Sequence, residues 1–165
     1  MKKVKRILAL SLSAVLLLAL LASCGGGNEN ADVTINLNDL WSKIEALGEM
    51  PMLGDTPEEL LTGDAFGFNL DDLESYISKT PMMNTQATEF FIAKVKEGKM
   101  DAVKNALLAR KDTVASTFEH YLVDQYDMVQ NSKLTTNGNY IFFAIGEYAE
   151  QAEKLFNDAI AEAKS

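Results

Sequence analysis

One cysteine and one histidine among 165 residues limit the chemistry this chain can do. A zinc or copper centre of the usual kind draws on several imidazoles or thiolates. Nucleophilic catalysis needs an activated side chain held against a base. His120 has no second histidine to share a metal with, so it reads as a surface or half-buried helical residue. Asp71, Asp72 and Glu74 bring carboxylates close together, but no loop alternates oxygen ligands around a fixed glycine as calcium loops do. They read as charges at a helix start or on an exposed strand. Met50 with Met52, and Met82 with Met83, offer thioethers that would suit Cu(I). Each pair also adjoins a proline in an apolar bend, where methionine is ordinary filler. Nucleophile elbows, phosphate loops and dinucleotide fingerprints are missing from the sequence. The expectation is a protein with no catalytic residue, no metal and no cofactor.

Arg110 is the charged residue that stands out. Its spacing from Leu107 and Val114 puts it on or beside the buried stripe of a helix. A cation there needs oxygen partners or carries a large desolvation cost. Two roles are open: a structural contact locking helix to sheet, or a group that binds an anion.

Cys24 carries a different kind of chemistry. Lys2, Lys3, Lys5 and Arg6 precede an uncharged run from Ile7 to Ala22, and Leu21-Ala22-Ser23-Cys24 is followed by three glycines. A basic start, an apolar stretch and small residues before a cut make a secretory signal. The run is about 16 residues, short of the ~20 that span a bilayer. The cysteine after Leu-Ala-Ser resembles the bacterial lipobox, in which the thiol takes a diacylglycerol and becomes the first residue of the mature protein. The organisation expected is a signal peptide over 1–23, a lipidated Cys24 with a flexible tether over 24–35, and one globular domain over 36–165. The partner implied is the membrane, reached through lipid on Cys24 at the extracytoplasmic face.

Cleavage would leave 142 residues with 11 basic and 24 acidic side chains, a net charge of −13. Such an acidic body excludes nucleic acid, whose phosphates demand a basic footprint. It also disfavours lying flat on anionic lipid. With Cys24 assigned to lipid, no disulfide or redox pair remains, so packing alone must hold the fold.

The elements follow from periodicity. Leu40, Trp41, Ile44 and Leu47 mark a short helix opened by Asn36 or Asn38 and ended by Gly48. Met50 to Gly54 reads as a bend. Thr56-Pro57-Glu58-Glu59 looks like a capped helix start that ends by Gly63. Leu73 to Lys79 fits either a strand or a short helix after Asn69. Ala87 to Lys96 is a strand by its aromatic and β-branched residues. A long helix runs from Lys99 and breaks near Tyr121 to Asp124, with a second piece ending at Asn131. Asn137-Gly138 is the expected two-residue turn of a hairpin, whose second strand, Tyr140 to Ile145, should be central. A last helix covers about Tyr148 to Ala163. Hairpin and helix thus occur twice. The fold expected is α+β: a four-stranded, mainly antiparallel sheet of two hairpins, with helices packed on one face and a short N-terminal helix before it.

Several features in order resemble an uncharacterised family of bacterial, clostridial-type lipoproteins, the Domain of Unknown Function 4358. These are the lipobox and short tether, the Leu/Trp/Ile helix before Met50-Pro51-Met52, and Phe66-Gly67-Phe68-Asn69 before Asp71-Asp72. Thr88-Glu89-Phe90-Phe91 leading to Lys94-Val95-Lys96, a helix with Arg110, Phe118 and Tyr121, and Gly138-Asn139-Tyr140 complete the series. The family more often has Tyr at the position of Phe66. The resemblance implies a lipid-anchored surface protein of the Gram-positive type and assigns no chemistry. The function expected is a non-catalytic binding or interaction domain of the cell envelope, with an envelope protein as partner. A small solute-binding lipoprotein serving a transporter is the alternative, and an envelope hydrolase working with two carboxylates a weaker one.

Overall fold

The computed structural model describes residues 33–165. The signal segment and Cys24 lie outside the described residues. The elements in chain order are α1 (Leu37–Glu45), β1 (Leu53–Asp55), α2 (Glu58–Thr62), β2 (Leu73–Pro81), β3 (Glu89–Val95), α3 (Met100–Phe118), α4 (Val123–Gln130), β4 (Lys133–Asn137), β5 (Tyr140–Ile145) and α5 (Ala149–Ala163). The strands form one five-stranded sheet in the order β1-β2-β3-β5-β4, antiparallel throughout.

β3 and β5 are buried along their whole length. Strand alternation sends Phe90, Ile92, Tyr140, Phe142 and Ala144 to one face, where they meet Trp41 and Ile44 of α1 and Ala152, Phe156 and Ile160 of α5. Phe91, Ala93, Ile141, Phe143 and Ile145 go to the other face, against Val103, Leu107, Val114 and Phe118 of α3 and Val129 of α4. The result is three layers around two apolar cores.

The α+β class stands, and two of its expected details are corrected. There are five strands rather than four, because the bend at Met50–Gly54 runs into β1, whose three residues pair with Lys79–Pro81. Helices cover both faces of the sheet rather than one. Strands with apolar runs of four or more consecutive residues, Phe90–Ala93 and Tyr140–Ile145, have two faces to bury, and a single helical layer would leave Phe90, Ile92, Phe142 and Ala144 in water. The two hairpin-helix halves accordingly send α3 and α5 to opposite sides.

Local signals were read with mixed accuracy. Asn36 caps α1, accepting from the N–H groups of Asn38 and Asp39. Thr56 does not cap α2. Pro57 holds that position, and the Thr56 hydroxyl is tied to Ser78 and Thr80 instead. Leu73–Lys79 belongs to a strand, and Asn69 caps the single 3₁₀ turn, Leu70–Asp72, just before it. The β4–β5 turn sits one residue later than expected. Asn137 pairs with Tyr140, so Gly138 and Asn139 make the loop. Gly138 has φ +60° and no non-glycine residue has positive φ among the described residues. Only the first central position is left-handed, which is the type II′ pattern with glycine where that turn requires it.

The sheet has two distinct ends. At one, the N–H of Ile35 donates to the Tyr140 hydroxyl at 3.1 Å, and that hydroxyl donates to the Val33 carbonyl at 3.4 Å. The described chain therefore begins beside the β4–β5 turn. The opposite end, where β3 begins and β2 and β5 finish, gathers the connections 46–52, 82–88, 119–122 and 146–148.

Candidate functional site

Arg110 has its oxygen partners in Glu89. Alternation along β3 puts Glu89 on the same face as Phe91 and Ala93, under α3. From α3, Arg110 donates through Nε to both carboxylate oxygens, at 3.1 and 3.2 Å, and through Nη2 to Oε2 at 2.8 Å. The guanidinium carbon lies 4.5 Å from the centre of the Phe66 ring, a cation over an aromatic face. The Glu89 side chain is 3 % exposed and that of Arg110 18 %. Burial pushes the Glu89 carboxyl above its ordinary range, and the hydrogen bonds and charge of Arg110 only partly offset this. With its oxygens engaged and almost no contact with solvent, the pair fastens α3 to the sheet. Glu89 carried a signal that the sequence reading passed over: a carboxylate directly before the apolar run Phe90–Ala93 must find a cation once the strand is buried.

The other singled-out residues do not converge. His120 is 90 % exposed with only Glu119 nearby, at 3.7 Å. Asp72 pairs with Lys99 at 2.9 Å and Glu74 with Lys94 at 2.9 Å, so these carboxylates face lysines and do not gather round a common point. No group of three or more metal-ligating side chains occurs among the described residues. Met52, Met82 and Met83 are exposed, while Met50 is half-buried at a cavity.

The connections at the end of the sheet opposite Val33 and Ile35 do come together. The N–H of Met82 donates to the carbonyl of Met52 at 3.0 Å, continuing the β1–β2 pairing beyond the strands. The Gln125 side chain accepts from the N–H of Ala87 at 2.8 Å, tying the β2–β3 connection to α4. A Cβ on Gly48 would overlap the Tyr148 hydroxyl, so the missing side chain lets Tyr148 lie against the 46–52 connection. Two hollows result, and Gln86 lines both. One is an open cleft of about 420 Å³ between Thr85 and the α3–α4 junction at Tyr121–Gln125. The other is a more enclosed cavity of about 170 Å³ among Met50, Phe90, Met128 and Tyr148, with Thr88 in its wall and Glu49 and Glu147 also lining it. Met52, Met82, Met83, Tyr121 and Val123 project from this end, between 61 and 72 % exposed. A single exposed apolar residue means little, whereas several at one end of a fold mark a surface for contact.

The sequence model of a family described as Domain of unknown function (DUF4358) matches residues 54–146. The match runs from β1 to the end of β5 and includes Glu89 and Arg110, while α1 and α5 fall outside it. No curated protein and no solved structure matches the chain.

Proposed function

The chain belongs to the family of the Domain of unknown function (DUF4358), and from that premise we propose that it is a lipid-anchored, extracytoplasmic, non-catalytic binding domain of the cell envelope. One observation carries the reading: the exposed side chains of Met52, Met82, Met83, Tyr121 and Val123 and both hollows lie at the end of the sheet opposite Val33 and Ile35. Eight residues lie between Cys24 and Val33, a reach of at most about 30 Å. A domain held by Cys24 would keep its Tyr140 end towards the lipid and turn the other end to the envelope. Flexible thioethers fit this role, since they adapt to an apolar partner surface. No helix among the described residues is long and apolar enough to cross a membrane.

Detergent-phase partitioning of cells expressing wild type or Cys24→Ser tests the anchor. Wild type should enter the detergent phase as the cleaved form, and Cys24→Ser should remain uncleaved at this site and unlipidated. Cleaved protein partitioning alike in both would refute it. The solute-binding alternative draws its support from the enclosed cavity.

A further inference from the structure

We propose that the cavity between Tyr148 and Phe90 binds a small organic cation, an ammonium group on a short apolar body. The proposal rests on this end of the domain being its working face, and it adds a ligand class to that face.

Charge is the first argument. Glu49 and Glu147 line the cavity and no lysine or arginine does. Two cations on neighbouring elements are engaged elsewhere: Arg110 with Glu89 beneath α3, and Lys79 with Asp55 at 2.6 Å. The N-terminus of α5 opens beside the cavity and would by itself favour an anion, but Glu147 and Glu150 flank that terminus and oppose one.

The walls are the second argument. Phe90 and Tyr148 supply aromatic rings, and Met50 and Met128 supply polarisable sulfur. Ring faces attract a cation while excluding water, and an aromatic cage beside a carboxylate is the usual way to hold a quaternary ammonium. Tyr148 is fixed against Gly48, so one wall is already in place.

Thr88 is the third. Its side chain belongs to a residue only 3 % exposed, and it lines the cavity. Among the described residues its hydroxyl donates only to the Met128 sulfur, at 3.6 Å, a weak acceptor. The oxygen's lone pairs remain for a ligand N–H or a polarised methyl group. The cavity's 170 Å³ is the space of about six liquid waters, below the ~300 Å³ where drug-sized sites begin. That selects a compact amine.

The test is titration of the full mature chain, in micelles of an uncharged maltoside detergent, with choline and with its neutral isostere 3,3-dimethyl-1-butanol. Amide shifts of Gly146 and Tyr148 report the cavity. Choline should shift them saturably at or below about 10 mM, and the neutral alcohol should bind at least about tenfold more weakly. Glu49→Gln/Glu147→Gln should weaken choline by about tenfold or more with the rest of the spectrum unchanged, since both carboxylates are exposed. No saturable shift, equal binding of the alcohol, or choline binding untouched by the double substitution would each overturn the proposal. A failed choline titration leaves the protein-contact reading standing, because that is read from crosslinks at Met83 and not from the cavity.

Discussion

Arg110 holds both carboxylate oxygens of Glu89 across the contact between α3 and β3, with its shortest bond at 2.8 Å. This joins the third layer to the sheet at a point where apolar packing is interrupted by two charges. Arg110→Met keeps an apolar stem on α3 but leaves Glu89 buried without its cation. Breaking such a pair costs roughly 3–5 kcal/mol. Glu89→Leu with Arg110→Met should recover most of that loss, since no charge is then stranded. Urea denaturation of the three variants checks this. An Arg110→Met protein as stable as wild type would remove the structural role and return Arg110 to the list of ligand contacts.

The same pair sets a pH dependence. The Glu89 carboxyl is raised above its ordinary value by burial. The folded protein then holds that proton more tightly than the unfolded chain. Its contribution is fully present below the unfolded carboxylate pKa and is lost as pH rises through the folded one. Relative to Glu89→Gln, which cannot titrate, wild type should therefore lose stability as pH rises from the ordinary glutamate range into the neutral and alkaline range. Unfolding midpoints of both proteins across that range give the sign. A wild type that gains on the variant with rising pH would mean that Arg110 outweighs burial.

Gly48 and Tyr148 should be energetically coupled. Gly48→Ala places a methyl group where the Tyr148 ring lies, and overpacking of this kind costs roughly 1–3 kcal/mol. In a Tyr148→Ala background the same change should cost much less. Thermal melts of the four proteins in the cycle measure the coupling, and additive losses would show that the ring does not need the glycine.

Gly138→Val tests the β4–β5 turn. Nothing lies within 4 Å of the added Cβ, so the penalty is one of backbone alone, from φ +60°. Holding a residue left-handed costs roughly 1–2 kcal/mol, more when it is β-branched. Gly138→Ala should lose less than Gly138→Val. An unchanged melting temperature in the valine variant would contradict the turn.

The core strands were legible because their composition reflects where they end up. Phe90 to Ala93 and Tyr140 to Ile145 are apolar without interruption, and they lie in the two central strands. Their full meaning was missed: uninterrupted apolarity also requires a helix layer on each face. β1 escaped notice because Leu53-Gly54-Asp55 is short and low in strand propensity, and pairing with Lys79–Pro81 makes it a strand. Arg110 was visible through helical phase, while Glu89 is 21 positions away and only tertiary pairing joins them. The cavity was illegible for the same reason. Glu49, Phe90, Met128 and Tyr148 come from four separate segments, and local periodicity does not bring them together.

The central claim is that this domain is held at its Tyr140 end and makes contact through its methionine end. The most direct measurement is photocrosslinking in living cells, with benzoylphenylalanine placed at Met83 or at Thr136, both exposed, in the full-length protein. The account predicts a discrete envelope protein crosslinked from Met83, reduced by Met52→Asp, and no protein crosslink from Thr136. Crosslinks to lipid from Met83, or to protein from Thr136 and not from Met83, would contradict it.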